Sequence, residues 1–141
     1  MSAVKALALL LVAAAGLRAL RRRLVVVTVH GPSMEPSLHH GDRLLVRVLP
    51  PNRLARGQVI VLADPEGGHE WLIKRLAARP GDPVPHDRVP EITDARVPRG
   101  SLIVLGDNAA RSRDSRAFGY YEAGSVLGAA VRRLPNRHAS R

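Results

Sequence analysis

Apolar residues in this chain fall into one long block followed by a series of short ones. Ala6 to Leu17 is uninterrupted, and as a helix its roughly 12 residues would span about 18 Å. Snorkelling of Lys5 and Arg18 at its ends lengthens it to about 19 residues. Downstream, Leu24 to His30 (LVVVTVH), Arg43 to Leu49, Gln58 to Ala63 (QVIVLA), Glu70 to Leu76 (EWLIKRL), Ser101 to Leu105 and Ser125 to Arg133 are short runs rich in Val, Ile and Leu. They are bounded by Gly31-Pro32, Pro50-Pro51-Asn52, Asp64-Pro65-Glu66-Gly67-Gly68-His69, Pro98 with Gly100, and Gly124. Short β-type runs separated by turn residues predict strands. The expected fold class is therefore mainly β, a folded sheet assembly behind an N-terminal hydrophobic helix. Residues 58–63 and 70–76 form a predicted hairpin. Side chains alternate across a strand, so Leu72, Lys74 and Leu76 share one face and Trp71, Ile73 and Arg75 the other. The proline-rich stretch from Pro80 to Pro98 reads as a loop with at most one short strand. The pattern divides the chain into an N-terminal apolar helix with a basic flank over 1–23, one folded domain over 24–134, and a disordered tail over 135–141.

Composition narrows the partners. At 141 residues and 45% hydrophobic content, a single core is feasible. The net charge of +10 raises nucleic-acid binding, because basic surfaces attract phosphate without regard to sequence. Single-strand platforms need stacking rings, and the aromatic residues here are few: Trp71, Phe118, Tyr120 and Tyr121. The charge gathers instead at the two ends, in Arg18 with Arg21 to Arg23 and in Arg132, Arg133, Arg137 and Arg141. Beside an apolar segment such clusters fit membrane lipids with anionic headgroups, and no nucleic-acid partner is expected. There are no cysteines, and the histidines show no metal-ligand spacing. Neither a metal nor another cofactor is expected.

Two residues carry the candidate chemistry. Of 22 basic residues only Lys5 and Lys74 are lysines. Arginine keeps its proton in proteins, whereas lysine releases it when desolvated. At the ordinary lysine pKa of about 10.4, fewer than roughly one amine in a thousand is neutral at pH 7. An amine between two strand leucines loses hydration, which favours its neutral form. Ser33 follows a strand that Gly31-Pro32 ends abruptly, placing the hydroxyl on a loop. A serine becomes a nucleophile when a base sits beside it, and a Ser-Lys pair is one solution. A Ser-His-Asp arrangement built on Ser33 is the competing one.

The residues resemble type I signal peptidases. The resemblance rests on Gly31-Pro32-Ser33-Met34-Glu35-Pro36-Ser37-Leu38, then Gly41-Asp42-Arg43-Leu44-Leu45-Val46, then Ile73-Lys74-Arg75-Leu76 with Pro80-Gly81-Asp82, then Gly106-Asp107-Asn108 running to Ser112-Arg113-Asp114-Ser115-Arg116. These four boxes stand in the family's order and cover most of residues 30–119. The resemblance implies a signal-peptidase-like β-sheet catalytic domain and a membrane-bound serine endopeptidase with a Ser-Lys dyad. By box position Ser33 is the nucleophile and Lys74 the general base, with Ser112 orienting the lysine amine. Gly31, Met34, Pro36, Asp107, Asn108, Asp114 and Arg116 support the site, the last two as an ion pair. Some family members carry a serine two residues before the nucleophile that helps bind the oxyanion. Here that residue is Gly31, so the oxyanion hole rests mainly on the Ser33 N–H and a donor the sequence does not identify. The stretch between Asp82 and Gly106 is too short for the large extra domain that some members insert there.

The expected partners are precursor proteins with N-terminal leader peptides, and the expected location is the cell membrane with the catalytic domain on the extracytoplasmic side. The positive-inside rule opposes that orientation, because the richer arginine flank lies on the catalytic side of the apolar segment. The same segment also fits a signal peptide, with Ala13 to Ala15 as small residues at a cut. Within the enzyme class the alternative is a dedicated maturation protease for one precursor, such as nickel superoxide dismutase. Outside it stand a self-cleaving repressor sharing the Ser-Lys fold and a non-catalytic membrane scaffold.

Overall fold

A computed structural model describes residues 2–68 and 71–136. The chain opens with α1, Ala3–Arg22, a helix of 20 residues. It outruns the apolar block that predicted it, because leucine, alanine and arginine are all good helix formers. Only where the β-branched run Val25-Val26-Val27 begins does the backbone turn extended. At about 1.5 Å per residue α1 is about 30 Å long, which matches a hydrocarbon core of about 30 Å. Leu10 and Val12 are 68% and 71% exposed, so the helix projects its apolar surface away from the rest of the molecule. It is long and apolar enough to cross a membrane.

Seven strands follow: β1 Leu24–Thr28, β2 Arg43–Val48, β3 Val59–Ala63, β4 Trp71–Ala78, β5 Ser101–Leu105, β6 Tyr121–Glu122 and β7 Val126–Leu134. They form one antiparallel sheet in the order β1-β2-β7-β3-β4-β5-β6. The expected hairpin is present, with Val61 opposite Ile73 and Ile60 opposite Lys74. The tertiary surprise is β7, the last strand in sequence, which inserts between β2 and β3. Pairing irregularities at Leu45/Val46, Val61/Leu62 and Leu76/Ala78 bend the sheet. The chain crosses itself closely there: a Cβ at Gly128 would collide with the carbonyl oxygen of Arg47, so this position in β7 admits no side chain.

The central strands are covered on both faces. Ile60 and Leu62 join Leu76, Leu102 and Val104 in one cluster, while Val61 between them joins Val29, Met34, Leu38 and Ile73 in a second. A third cluster holds Ile103 and Leu105 against Val84, Val89, Ile92 and Val97. The Pro80 to Pro98 segment therefore contributes core. It carries no strand, only the isolated bridge between Pro83 and Arg96, and its apolar side chains dock it on β5. Each fully buried Leu, Ile or Val stabilises the fold by about 1.5–3 kcal/mol. Five short elements escaped the sequence reading: β6, α2 at Ser115–Phe118, and the 3-10 turns Pro51–Arg53, Ala109–Arg111 and Ala123–Ser125. All are too short to show a period. Of the expected tail, residues 137–141 lie outside the described residues, and Pro135 and Asn136 have no regular structure.

Candidate active site

A cleft of about 230 Å³ opens between the end of β1, the loop that follows it and the turn end of the β3–β4 hairpin. Ser33 and Lys74 both line it, with Gly31, Met34, Ile73 and Trp71 among their neighbours. The serine loop is held from below by Met34, which is 1% exposed and packs in the cluster of Val61 and Ile73. Gly31 has φ +77°, a conformation glycine adopts without a Cβ penalty, and its N–H donates to His40 Nδ1 at 3.0 Å. Pro36 is exposed and is not among the residues that line the cleft; it lies within the turn through residues 33–37.

Lys74 is only 4% exposed, although it carries an amine. Its Nζ donates to Ser112 Oγ at 3.3 Å, and Ser112 Oγ donates in turn to Asp114 Oδ2 at 2.7 Å. Asp114 is fully buried and accepts further hydrogen bonds from the Gly106 N–H at 2.8 Å and from the Arg116 N–H, Nε and Nη2 at 3.1, 3.0 and 2.6 Å. Burial pushes the Asp114 carboxyl up, but the hydrogen bonds from Arg116, Ser112 and Gly106 outweigh it and hold the group below the usual carboxylate range. An ionised carboxylate is acceptor only, so the single Ser112 proton must point at Asp114. Ser112 then offers Lys74 only a lone pair. The lysine amine is itself shifted down, chiefly by burial; Asp114 opposes the shift and Arg116 adds to it.

A second set of bonds ties the serine loop to this network. The Asn108 N–H donates to the Ser33 carbonyl at 2.9 Å, and Asn108 Nδ2 to the Pro32 carbonyl at 3.1 Å. Asp107 is gripped in bidentate fashion by Arg75, at 2.8 and 2.6 Å, which holds its carboxyl below the usual range against the opposing effect of burial. Gly106 sits between the two halves. A Cβ there would overlap Ser112 Oγ and lie 2.6 Å from the Ser33 carbonyl oxygen. Strand β4 thus presents Lys74 to Ser112 and Arg75 to Asp107, and the segment 106–116 fastens both to the Ser33 loop.

The sequence reading missed Arg75, His40 and Asp64. Arg75 had a signal, since a charged residue beside Lys74 on the opposite face needs its own partner. His40 had none, because its role depends on the loop geometry that brings it back to Gly31. Asp64 looked like an ordinary turn residue, yet it lines the cleft.

The profile of the family described as "Signal peptidase, peptidase S26" matches residues 1–89 and 85–134. The chain belongs to this family. Among S26 relatives it is 32% identical, over 113 residues, to "Mitochondrial inner membrane protease subunit 1" of Schizosaccharomyces pombe, covering 77% of this chain and 72% of that protein. It is 34% identical to "Mitochondrial ATP-independent inner membrane protease subunit 1b" of Arabidopsis thaliana, covering 74% of this chain and 66% of that one. Identity to "Signal peptidase IB" of Staphylococcus aureus is 26%, with 72% of each chain covered. A crystal structure of a signal peptidase I from Enterococcus faecalis matches 55% of this chain and 96% of its own, at 25% identity and a TM-score of 0.42.

Proposed function

We propose that this S26 chain is a membrane-anchored serine endopeptidase that removes N-terminal leader peptides, with Ser33 as nucleophile, Lys74 as general base and α1 as the anchor. The observation that carries this reading is the buried Lys74, which lines the same cleft as Ser33 and is held from behind by Ser112 and, through it, by the buried Asp114. Ser112 accepts one amine hydrogen and leaves the lone pair of a neutral Lys74 free for the Ser33 hydroxyl. Lys74 takes the Ser33 proton as Ser33 Oγ attacks the scissile carbonyl carbon, and then returns it to the departing amine. The same amine next deprotonates a water that hydrolyses the acyl-serine ester. Among the described residues the Ser33 N–H donates to no protein acceptor, which leaves it open to the oxyanion. Such a donor contributes about 2.7–4 kcal/mol to the transition state. The Gly31 N–H, already bonded to His40, is the unassigned second donor's least suitable candidate.

The direct test uses the full chain in detergent micelles with a synthetic leader peptide. Mass spectrometry should find two fragments from one cut with the wild type and intact peptide with Ser33→Ala. Cleavage that survives in Ser33→Ala would remove the serine from the chemistry.

Gly106→Ala tests the joint between the two halves. The added methyl must displace Ser112 or the Ser33 carbonyl, at an overpacking cost of about 1–3 kcal/mol. Turnover should fall at least about tenfold, because a hydrogen bond that orients the base is lost together with the register of the nucleophile. An unaltered kcat in a variant with the wild-type urea midpoint would show that the joint does not position the dyad.

A further inference from the structure

Besides Lys74 the cleft is lined by two ionisable groups that the dyad does not use, His30 and Asp64, and of these only Asp64 is a carboxylate. Asp64 follows β3 directly and lines the cleft beside Trp71 and Leu72. The Lys74 amine does not hold it, since that amine faces Ser112 and the carboxylate whose charge it feels is Asp114. The neighbouring Glu66 is paired with Arg113 at 3.1 Å. Among the described residues no lysine or arginine pairs with Asp64, and Oδ1 only accepts the Glu66 N–H at 2.9 Å. Gly68 makes room for the other oxygen, as a Cβ there would lie 2.6 Å from Asp64 Oδ2.

Resting on the reading of this cleft as a peptide-cleaving site, we propose that Asp64 is a specificity residue that selects a substrate with a lysine or arginine side chain near the scissile bond. The register gives the distance. Lys74 stands opposite Ile60, and Asp64 lies four residues further along the chain, roughly 13 Å at the strand rise of about 3.3 Å. An extended substrate running past the hairpin covers that distance in about four residues, and the reach of an arginine side chain shortens it to two or three. The selected residue is therefore two to four positions from the cut. Leu72 and Trp71 flank Asp64 in the cleft wall, and a bound peptide excludes water, which strengthens the attraction between a carboxylate and a cation.

The experiment varies both partners. A neutral parent leader peptide carries arginine, or glutamate in its place, at each position from the fourth before to the fourth after the scissile bond. The kcat/KM of each is measured with the wild-type chain and with Asp64→Asn, which keeps the oxygen that accepts the Glu66 N–H. At one position two to four residues from the cut, arginine should exceed glutamate by about fivefold or more at low salt, and the ratio should shrink as salt rises. Asp64→Asn should bring that ratio close to one. A ratio that persists in Asp64→Asn, or no arginine preference at any position, overturns the proposal. Fluorescence anisotropy of the same peptides on Ser33→Ala and on Ser33→Ala/Asp64→Asn separates the two readings. If the wild type cuts nothing, the endopeptidase reading falls, while an Asp64-dependent arginine preference in binding still supports the specificity role and its absence refutes it.

Discussion

Replacing Lys74 by arginine should abolish cleavage while leaving the chain folded. Arginine preserves the charge, so a lysine serving as a structural cation or a lipid contact would tolerate the exchange. A base must be neutral, and a guanidinium with a pKa above about 12 never is. The expected loss is about 10²–10⁴-fold in kcat, the usual range for a positioned general base. Because the site is only 4% exposed, bulk has to be separated from charge. Lys74→Ala provides that control: added primary amines should partly restore its activity, in proportion to their free-base concentration. The wild-type pH profile carries the same information. Burial lowers the Lys74 pKa from 10.5, so the rate should rise with pH through the lowered value as the amine becomes neutral. Stability should follow in the same sense, because the folded state binds fewer protons than the unfolded chain between the lowered pKa and 10.5. A folded Lys74→Arg chain that cuts leader peptide near the wild-type rate would refute the dyad.

Asp114→Ala should have the largest effect on stability. The buried carboxylate accepts from Ser112, from the Gly106 N–H and from three Arg116 donors. Its removal leaves the Gly106 N–H without its acceptor and the guanidinium without its partner. Breaking a fully buried pair from one side costs about 3–5 kcal/mol; the Arg116 side chain is 31% exposed, so the loss should lie toward the lower end of that range, still a sizeable part of a total that is typically about 5–15 kcal/mol. Urea denaturation at neutral pH reads the loss directly. The sign of its pH dependence follows from the lowered carboxyl pKa. The contribution is complete above the ordinary value of 3.8 and disappears as pH falls through the lower folded value. Wild type and variant should therefore converge in acid. Activity should fall as well, since Ser112 loses the acceptor that fixes its proton and with it the orientation of Lys74. A midpoint within about 0.5 kcal/mol of the wild type at neutral pH would show that the pair is not structural.

Much of this molecule is visible in local pattern. The β3–β4 hairpin follows from two Val- and Leu-rich runs around Asp64-Pro65-Glu66-Gly67, and strand alternation alone puts Lys74 in line with Leu72 and Leu76. The apolar block at Ala6 to Leu17 announces α1, and the order of the four boxes carries the S26 resemblance. What the pattern left out depends on distance along the chain. The bond from Asn108 to the Ser33 carbonyl, the Arg75–Asp107 grip and the overlap that forbids a side chain at Gly106 join segments far apart in sequence. They arise only after β5 has taken its place beside β4, with the irregularity at Leu76/Ala78 setting where its end falls. The Pro80 to Pro98 segment shows the same limit, because its valines and isoleucine lack a period and become core only against β5. Turn chemistry and side-chain alternation act between near neighbours, so the sequence by itself determined the six longer strands, α1 and the residue types at the site. Register and bending act between strands, so only the tertiary structure decided which of those residues touch and that Asp64 faces the cleft.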